Sequence, residues 1–179
     1  MMGRYLGPLH AATLDLHHAV ERTVVGRAMS DGDPTDLWYM GWCAMKAAMY
    51  DAIRTHLLPA SDRHDEYQAD IAELAIPPRL PVAIKDHVAW MGAEGLTRSE
   101  HERRITGTIY VIVGGNLMGG AVIAKSLRTD LPRASLGYSD RPSEMAYLNQ
   151  LRHRADCVEA ARVCFQALLD ACVEIEGWK

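Results

Sequence analysis

His17 is the residue best placed to do chemistry. It stands in the run Thr13-Leu-Asp-Leu-His17-His-Ala-Val-Glu21. Residues four apart lie on one face of a helix, so Thr13, His17 and Glu21 would line up along it. Glu21 can then accept a hydrogen bond from one imidazole nitrogen and leave the other free for a metal. The plainer alternative is a partly buried histidine paired with a carboxylate. His18 projects about 100° away and is expected on the exposed side.

The second informative stretch is Ile105 to Leu127, ITGTIYVIVGGNLMGGAVIAKSL. Its apolar residues recur at three- and four-residue steps, which is helix period. Thr97-x-x-Glu100 forms a capping pattern at its start, and Lys125 and Arg128 suit the dipole near its end. Yet Gly107, Gly114, Gly115, Gly119 and Gly120 fall inside it. Each interior glycine costs roughly 0.5–1 kcal/mol against alanine. Bare backbone must therefore serve a purpose: either another helix packs very close, or a flat ligand lies against the chain. Gly115 and Gly119 share a face, and the paired glycines also permit a kink.

The elements around these stretches read as helices. Leu9 to Met29 carries a stripe of Leu9, Ala12, Leu16, Ala19, Val20 and Val24. After the loop Ser30 to Asp36, a second helix runs from Leu37 to Leu58, with Trp38, Trp42, Met45, Met49, Ile53 and Leu57 on its buried side and Pro59 as its stop. Arg63 to Ala75 and Pro81 to Met91 are shorter helices. Leu131 to Pro142 is a loop, and Ser143 to Glu176 is one long helix or two with a bend. No β alternation and no internal repeat is evident, so the class is all-α.

Composition narrows the options. A chain of 179 residues, 49% of them apolar, makes one domain with a substantial core. A net charge of −4 without a basic stripe argues against nucleic acid. No apolar run approaches the roughly 20 residues that span a bilayer, and no signal peptide is evident, so cytoplasm is the expected location. Cys43, Cys157, Cys164 and Cys172 form no C-x-x-C pair and no zinc spacing, and are expected as small core residues.

Together, the Thr13–His17–Glu21 pattern and Gly115-Asn-Leu-Met-Gly119-Gly120, with Tyr110 upstream, resemble the heme oxygenase family. In that family a T-x-x-x-H-x-x-x-E helix supplies the proximal heme ligand. A kinked distal helix, typically G-[D/S]-x-x-G-G after an aromatic residue, covers the other heme face. Helix order, length and spacing are similar to the compact bacterial members across most of the chain. The resemblance implies one heme-oxygenase-like helical bundle over residues 1–179, with heme b between the first helix and the glycine-rich one. His17 would be the iron ligand, with Thr13, Glu21, Tyr110 and Gly120 about the cofactor and Gly115, Asn116 and Gly119 on the catalytic side. The implied reaction cleaves heme with O2 to biliverdin, carbon monoxide and ferrous iron. Ferredoxin or an NAD(P)H-dependent reductase would supply electrons, and a biliverdin-accepting photoreceptor is a candidate recipient.

One departure matters. Asn116 stands where animal members carry aspartate and some bacterial ones serine. An amide can hold distal water but cannot ionise, which implies slower turnover. A non-catalytic heme carrier or sensor on the same scaffold is the alternative. The heme carboxylates need cationic partners. His10 stands seven residues before His17, where members commonly have lysine. On the last helix Arg152, His153 and Arg154 are candidates. Arg152 and Arg154 project about 200° apart, so only one can face the heme edge, and Arg154 is the expected one. Met118 is expected to fill core.

Overall fold

The computed structural model describes residues 7–57, 61–137 and 141–179, which form helices and turns without a strand. The helices are α1 (Pro8–Arg22), α2 (Val24–Asp31), α3 (Asp36–Ile53), α4 (His64–Leu74), α5 (Val82–Met91), α6 (Arg98–Ser126), α7 (Arg141–Leu151) and α8 (Val158–Glu176). The all-α class expected from the periodicity is the class adopted.

Several boundaries differ from the sequence reading, each for a local reason. The apolar stripe of the first helix continues to Met29, but Thr23 turns extended (φ −60°, ψ 160°) and splits the stretch into α1 and α2. Its hydroxyl caps α2 by accepting from the Gly26 N–H at 2.9 Å. A Cβ at Gly26 would stand 2.2 Å from the Val20 carbonyl oxygen, so this corner requires glycine. The stripe survives the break because both helices face one core, where Val20, Val25 and Met29 are buried.

α3 tightens into a 3-10 turn at Arg54–His56 instead of running on as α-helix. Leu58 and its stop Pro59 lie outside the described residues. The loop from Leu131 contains a 3-10 turn, Ala134–Leu136, and α7 begins before its expected end at Pro142. Ser139 and Asp140 also lie outside the described residues. The final stretch resolves into two helices joined by the 3-10 turn Ala155–Cys157.

α8 is the central strut, packing against α1, α5 and α6. Its Ala160 and Ala161 let α6 approach so closely that a Cβ at Gly107 would lie 2.6 Å from the Ala160 Cβ. Arg162 of α8 grips α1 through both oxygens of Asp15, at 2.9 and 3.1 Å. The Leu9 N–H donates to the Arg152 carbonyl at 3.2 Å, tying the start of α1 to the end of α7. The orientation of α1, and with it His17, is thus set at its start and its middle.

By length and composition α6 could cross a membrane, against the sequence expectation that no run would. Inside the fold 56% of its most apolar window is buried, so its apolarity is that of a core helix. The cysteines are buried and free, as expected of core residues. Burial pushes the thiols up, Cys164 to about 12 and Cys172 to about 11.

His87, in α5, is 3% exposed. Its Nε2 meets the Thr108 hydroxyl of α6 at 3.0 Å, while Nδ1 has no partner among the described residues. Burial draws its pKa down from 6.5 to about 4. Between those values the unfolded chain binds the proton and the folded chain resists it. The contribution is therefore complete above pH 6.5 and is lost as pH falls towards 4. Denaturant melts over this window should show stability falling by on the order of 3 kcal/mol, and His87→Met should flatten much of that slope.

Candidate functional site

A cleft lies between α1 and α6. Two adjoining cavities of about 250 Å³ each open along it and share His17, Val111, Gly115, Met118 and Phe165. Taken together they are within the roughly 300–1,000 Å³ typical of small-molecule sites, and most of the lining is apolar.

His17 stands on the α1 wall with 44% of its side chain exposed. Its Nδ1 is 3.7 Å from a Glu21 carboxylate oxygen, longer than a hydrogen bond but on the expected face. Phe165 of α8 meets the ring edge-on, at 5.7 Å between centroids. The imidazole is thereby steadied on two sides. His18 is exposed, as expected, although its ring lies 6.0 Å from that of His17. Thr13 is buried and donates to the Leu9 carbonyl at 2.7 Å. It lines the cleft beside Tyr110, whose phenol is pushed up by burial.

The five glycines of α6 divide between the two uses that sequence left open. Gly107 packs against α8; Gly114 lines the cleft, yet a Cβ there would stand 3.2 Å from Leu148 of α7. Gly120 also faces protein: its Cβ would lie 3.5 Å from the Leu136 carbonyl, and it does not line the cleft. Gly115 and Gly119 are different. A Cβ at Gly119 would meet nothing within 4 Å, and one at Gly115 only the Lys46 ammonium at 3.8 Å. Both line the cleft opposite α1. Residues 98–126 are helical without interruption, including the glycine pairs.

Asn116 does not face the cleft. Its side chain, 4% exposed, accepts from the Tyr67 hydroxyl at 2.5 Å and donates to the Ser135 carbonyl at 3.3 Å. Asp70 completes this buried network, accepting from the Ala134 and Ser135 N–H groups at 2.8 and 3.1 Å. Asn116 thus clamps α6 to α4 and the 134–136 turn from behind. Helical spacing explains this: it follows Gly115 by one residue, so it projects about 100° from the cleft face.

The cationic end also departs from expectation. Arg154 is held by both oxygens of Asp156 at 2.9 Å and approaches Glu102 at 3.5 Å, away from the cleft lining. Arg152 lines the cleft instead, beside His10 and Tyr110, with a buried Nε that has no partner among the described residues. The reason is that α7 ends at Leu151, so the helical wheel does not apply to these residues. Partial burial, followed by the Arg152 charge, lowers the His10 pKa. Met118, expected as core filler, is 55% exposed at the cleft mouth.

Sequence reasoning passed over Lys46, which lines the cleft from α3. A signal was present: it is the only charged residue from Leu37 to Tyr50.

These helices define an all-α fold of the heme oxygenase type. The heme oxygenase-1 of the cyanobacterium Synechocystis sp. PCC6803, solved in complex with heme, superposes with a TM-score of 0.75. The match covers 94% of this chain and 90% of that one at 17% identity. The heme oxygenase of Leptospira interrogans gives 0.73, at 16% identity over 95% of this chain and 97% of its own. No protein-family model matches the sequence, and no curated protein matches it. The likeness at these identities is one of fold.

Proposed function

We propose that the protein binds heme b in the cleft between α1 and α6 and cleaves it with O2. The products would be biliverdin, carbon monoxide and ferrous iron, with the heme acting as substrate and cofactor. One observation carries this reading: His17 faces, across a narrow apolar slot, a length of main chain whose Gly115 and Gly119 leave the slot open. A flat macrocycle needs both an axial donor and a wall without side chains.

The donor set fits. His17 offers an imidazole, steadied by Phe165 and near a carboxylate that raises ligand basicity. Arg152, whose buried Nε has no partner among the described residues, supplies positive charge for the heme carboxylates at one end, and His10 beside it offers a neutral imidazole N–H as a donor. Tyr110 and Thr13 line the same end. Bound heme iron would supply the activation of O2. The chain would orient the ring, keep the distal wall close, and exclude bulk water. Asn116 enters only as a brace that fixes where the Gly115 and Gly119 backbone lies.

A heme carrier or sensor is the second reading, favoured by residue 116 being an amide, which cannot ionise, turned away from the cleft onto Tyr67 and Ser135. Aerobic incubation of the hemin complex with a reductant, followed by chromatography of the pigment, separates the two. Biliverdin supports the enzyme; recovery of intact heme supports the carrier. Ferredoxin or an NAD(P)H-dependent reductase would be the natural electron donor, in a cytoplasmic setting, with a photoreceptor as one recipient of the pigment.

The cationic end yields a comparison. Arg152→Gln should weaken hemin binding by roughly 10-fold or more, the scale of a charge-assisted hydrogen bond. Arg154→Gln, which releases only Asp156 and Glu102, should leave the affinity within about 2-fold, as for surface ion pairs. Spectrophotometric hemin titration of both variants checks this.

A further inference from the structure

Lys46 is an anomaly in the core. It is 3% exposed, on a helix otherwise packed with Met40, Met45, Met49 and Tyr50. Its ammonium reaches the cleft at the glycine wall, 3.8 Å from where a Gly115 Cβ would stand. Among the described residues it forms no ion pair; the face of the Trp42 ring lies 5.2 Å away, and the buried Cys164 and Cys172 thiols are close enough to act on its charge. The one acid lining the same cavity, Glu21, stands on the α1 wall and does not pair with it. A buried cation without a counter-charge is unfavourable by several kcal/mol, so a core helix would normally carry an apolar residue here. Burial accordingly draws its pKa down to about 8, leaving it largely charged at neutral pH.

The side chain sequence expected at this wall, Asn116, is turned away and satisfied by Tyr67 and Ser135. The polar side chain that does stand against Gly115 is Lys46.

We propose that Lys46 is a ligand-binding residue of the distal wall, donating a charge-assisted hydrogen bond to a small anionic or oxygen-bearing group lodged between His17 and the Gly115–Gly119 main chain. The heme carboxylates belong to the other end, where Arg152 and His10 stand. This inference rests on heme occupying the cleft, and deepens that reading by naming what the wall opposite His17 recognises.

The test uses azide and carbon monoxide as probes of the hemin complex. Lys46→Met keeps the volume and removes the charge, and it should fold at least as well as wild type because an unpaired buried cation is gone. Its ferric complex is expected to bind azide roughly 10- to 100-fold more weakly than wild type. In its ferrous carbon monoxide complex the infrared C–O stretch should rise, since a nearby positive charge lowers that frequency. Lys46→Arg, which retains the charge, should restore much of both effects. Unchanged azide affinity and C–O stretch in Lys46→Met would overturn the inference while leaving heme binding intact. So would a loss of hemin affinity alone, which would make Lys46 a carboxylate partner. Failure of the wild-type protein to take up hemin would overturn the functional reading, and this one with it.

Discussion

Replacement of His17 by alanine is expected to abolish the sharp Soret band that hemin should develop with the wild-type protein. Changing a group that merely orients a metal-binding histidine costs roughly 10–100-fold in metal affinity, so losing the histidine itself should exceed about 100-fold. Glu21→Gln, which alters the carboxylate 3.7 Å from Nδ1, should fall in the milder range. His17 is 44% exposed and leaves no sealed void when truncated, so the apoprotein should melt within a few degrees of wild type. A normal melt together with a lost band would separate a ligand from a structural histidine. A band that persists in His17→Ala would move the iron ligand elsewhere.

The second large effect is a pair of glycine substitutions with opposite consequences. At Gly119 a Cβ meets nothing within 4 Å, so Gly119→Ala should stabilise the apoprotein by roughly 0.5–1 kcal/mol. Gly119→Leu should also fold, yet it fills the slot. Overpacking of about 1–3 kcal/mol against a rigid ring corresponds to roughly 10- to 100-fold weaker hemin binding. Gly107 behaves in the reverse sense. There a Cβ would lie 2.6 Å from the Ala160 Cβ and 2.7 Å from the Ala161 amide nitrogen, so Gly107→Leu forces α6 and α8 apart. A loss of roughly 3 kcal/mol or more, or failure to fold, is expected. Thermal melts and hemin titrations of the pair distinguish a glycine kept for a ligand from one kept for a helix. Wild-type hemin affinity in Gly119→Leu would remove the slot from the site.

How much of this was legible beforehand follows the range of each signal. Helix class and order came from 3.6-residue periodicity, which is local and clearer in α1 and α8 than in the largely apolar α3 and α6. The break at Thr23 was hidden because α2 continues the apolar stripe of α1 into the same core. The side each glycine faces is a tertiary property: Gly107 and Gly119 look alike in sequence, and only the position of α8 tells them apart. Asn116 was assigned to the cleft by resemblance, whereas its neighbour Gly115 faces it, and one residue is about 100° on a helix. Helical geometry allows only one of Arg152 and Arg154 at the heme edge and does not say which, and it stops at Leu151, before either residue. Lys46 was overlooked because a lone lysine in an apolar helix carries no motif.

The most direct measurement is a crystal structure of the protein with hemin. The expected result has the macrocycle between α1 and α6, its iron on the His17 imidazole, its other face on the Gly115–Gly119 main chain, and its carboxylates towards Arg152 and His10. Hemin bound outside this cleft, or with its iron on a residue other than His17, would contradict it.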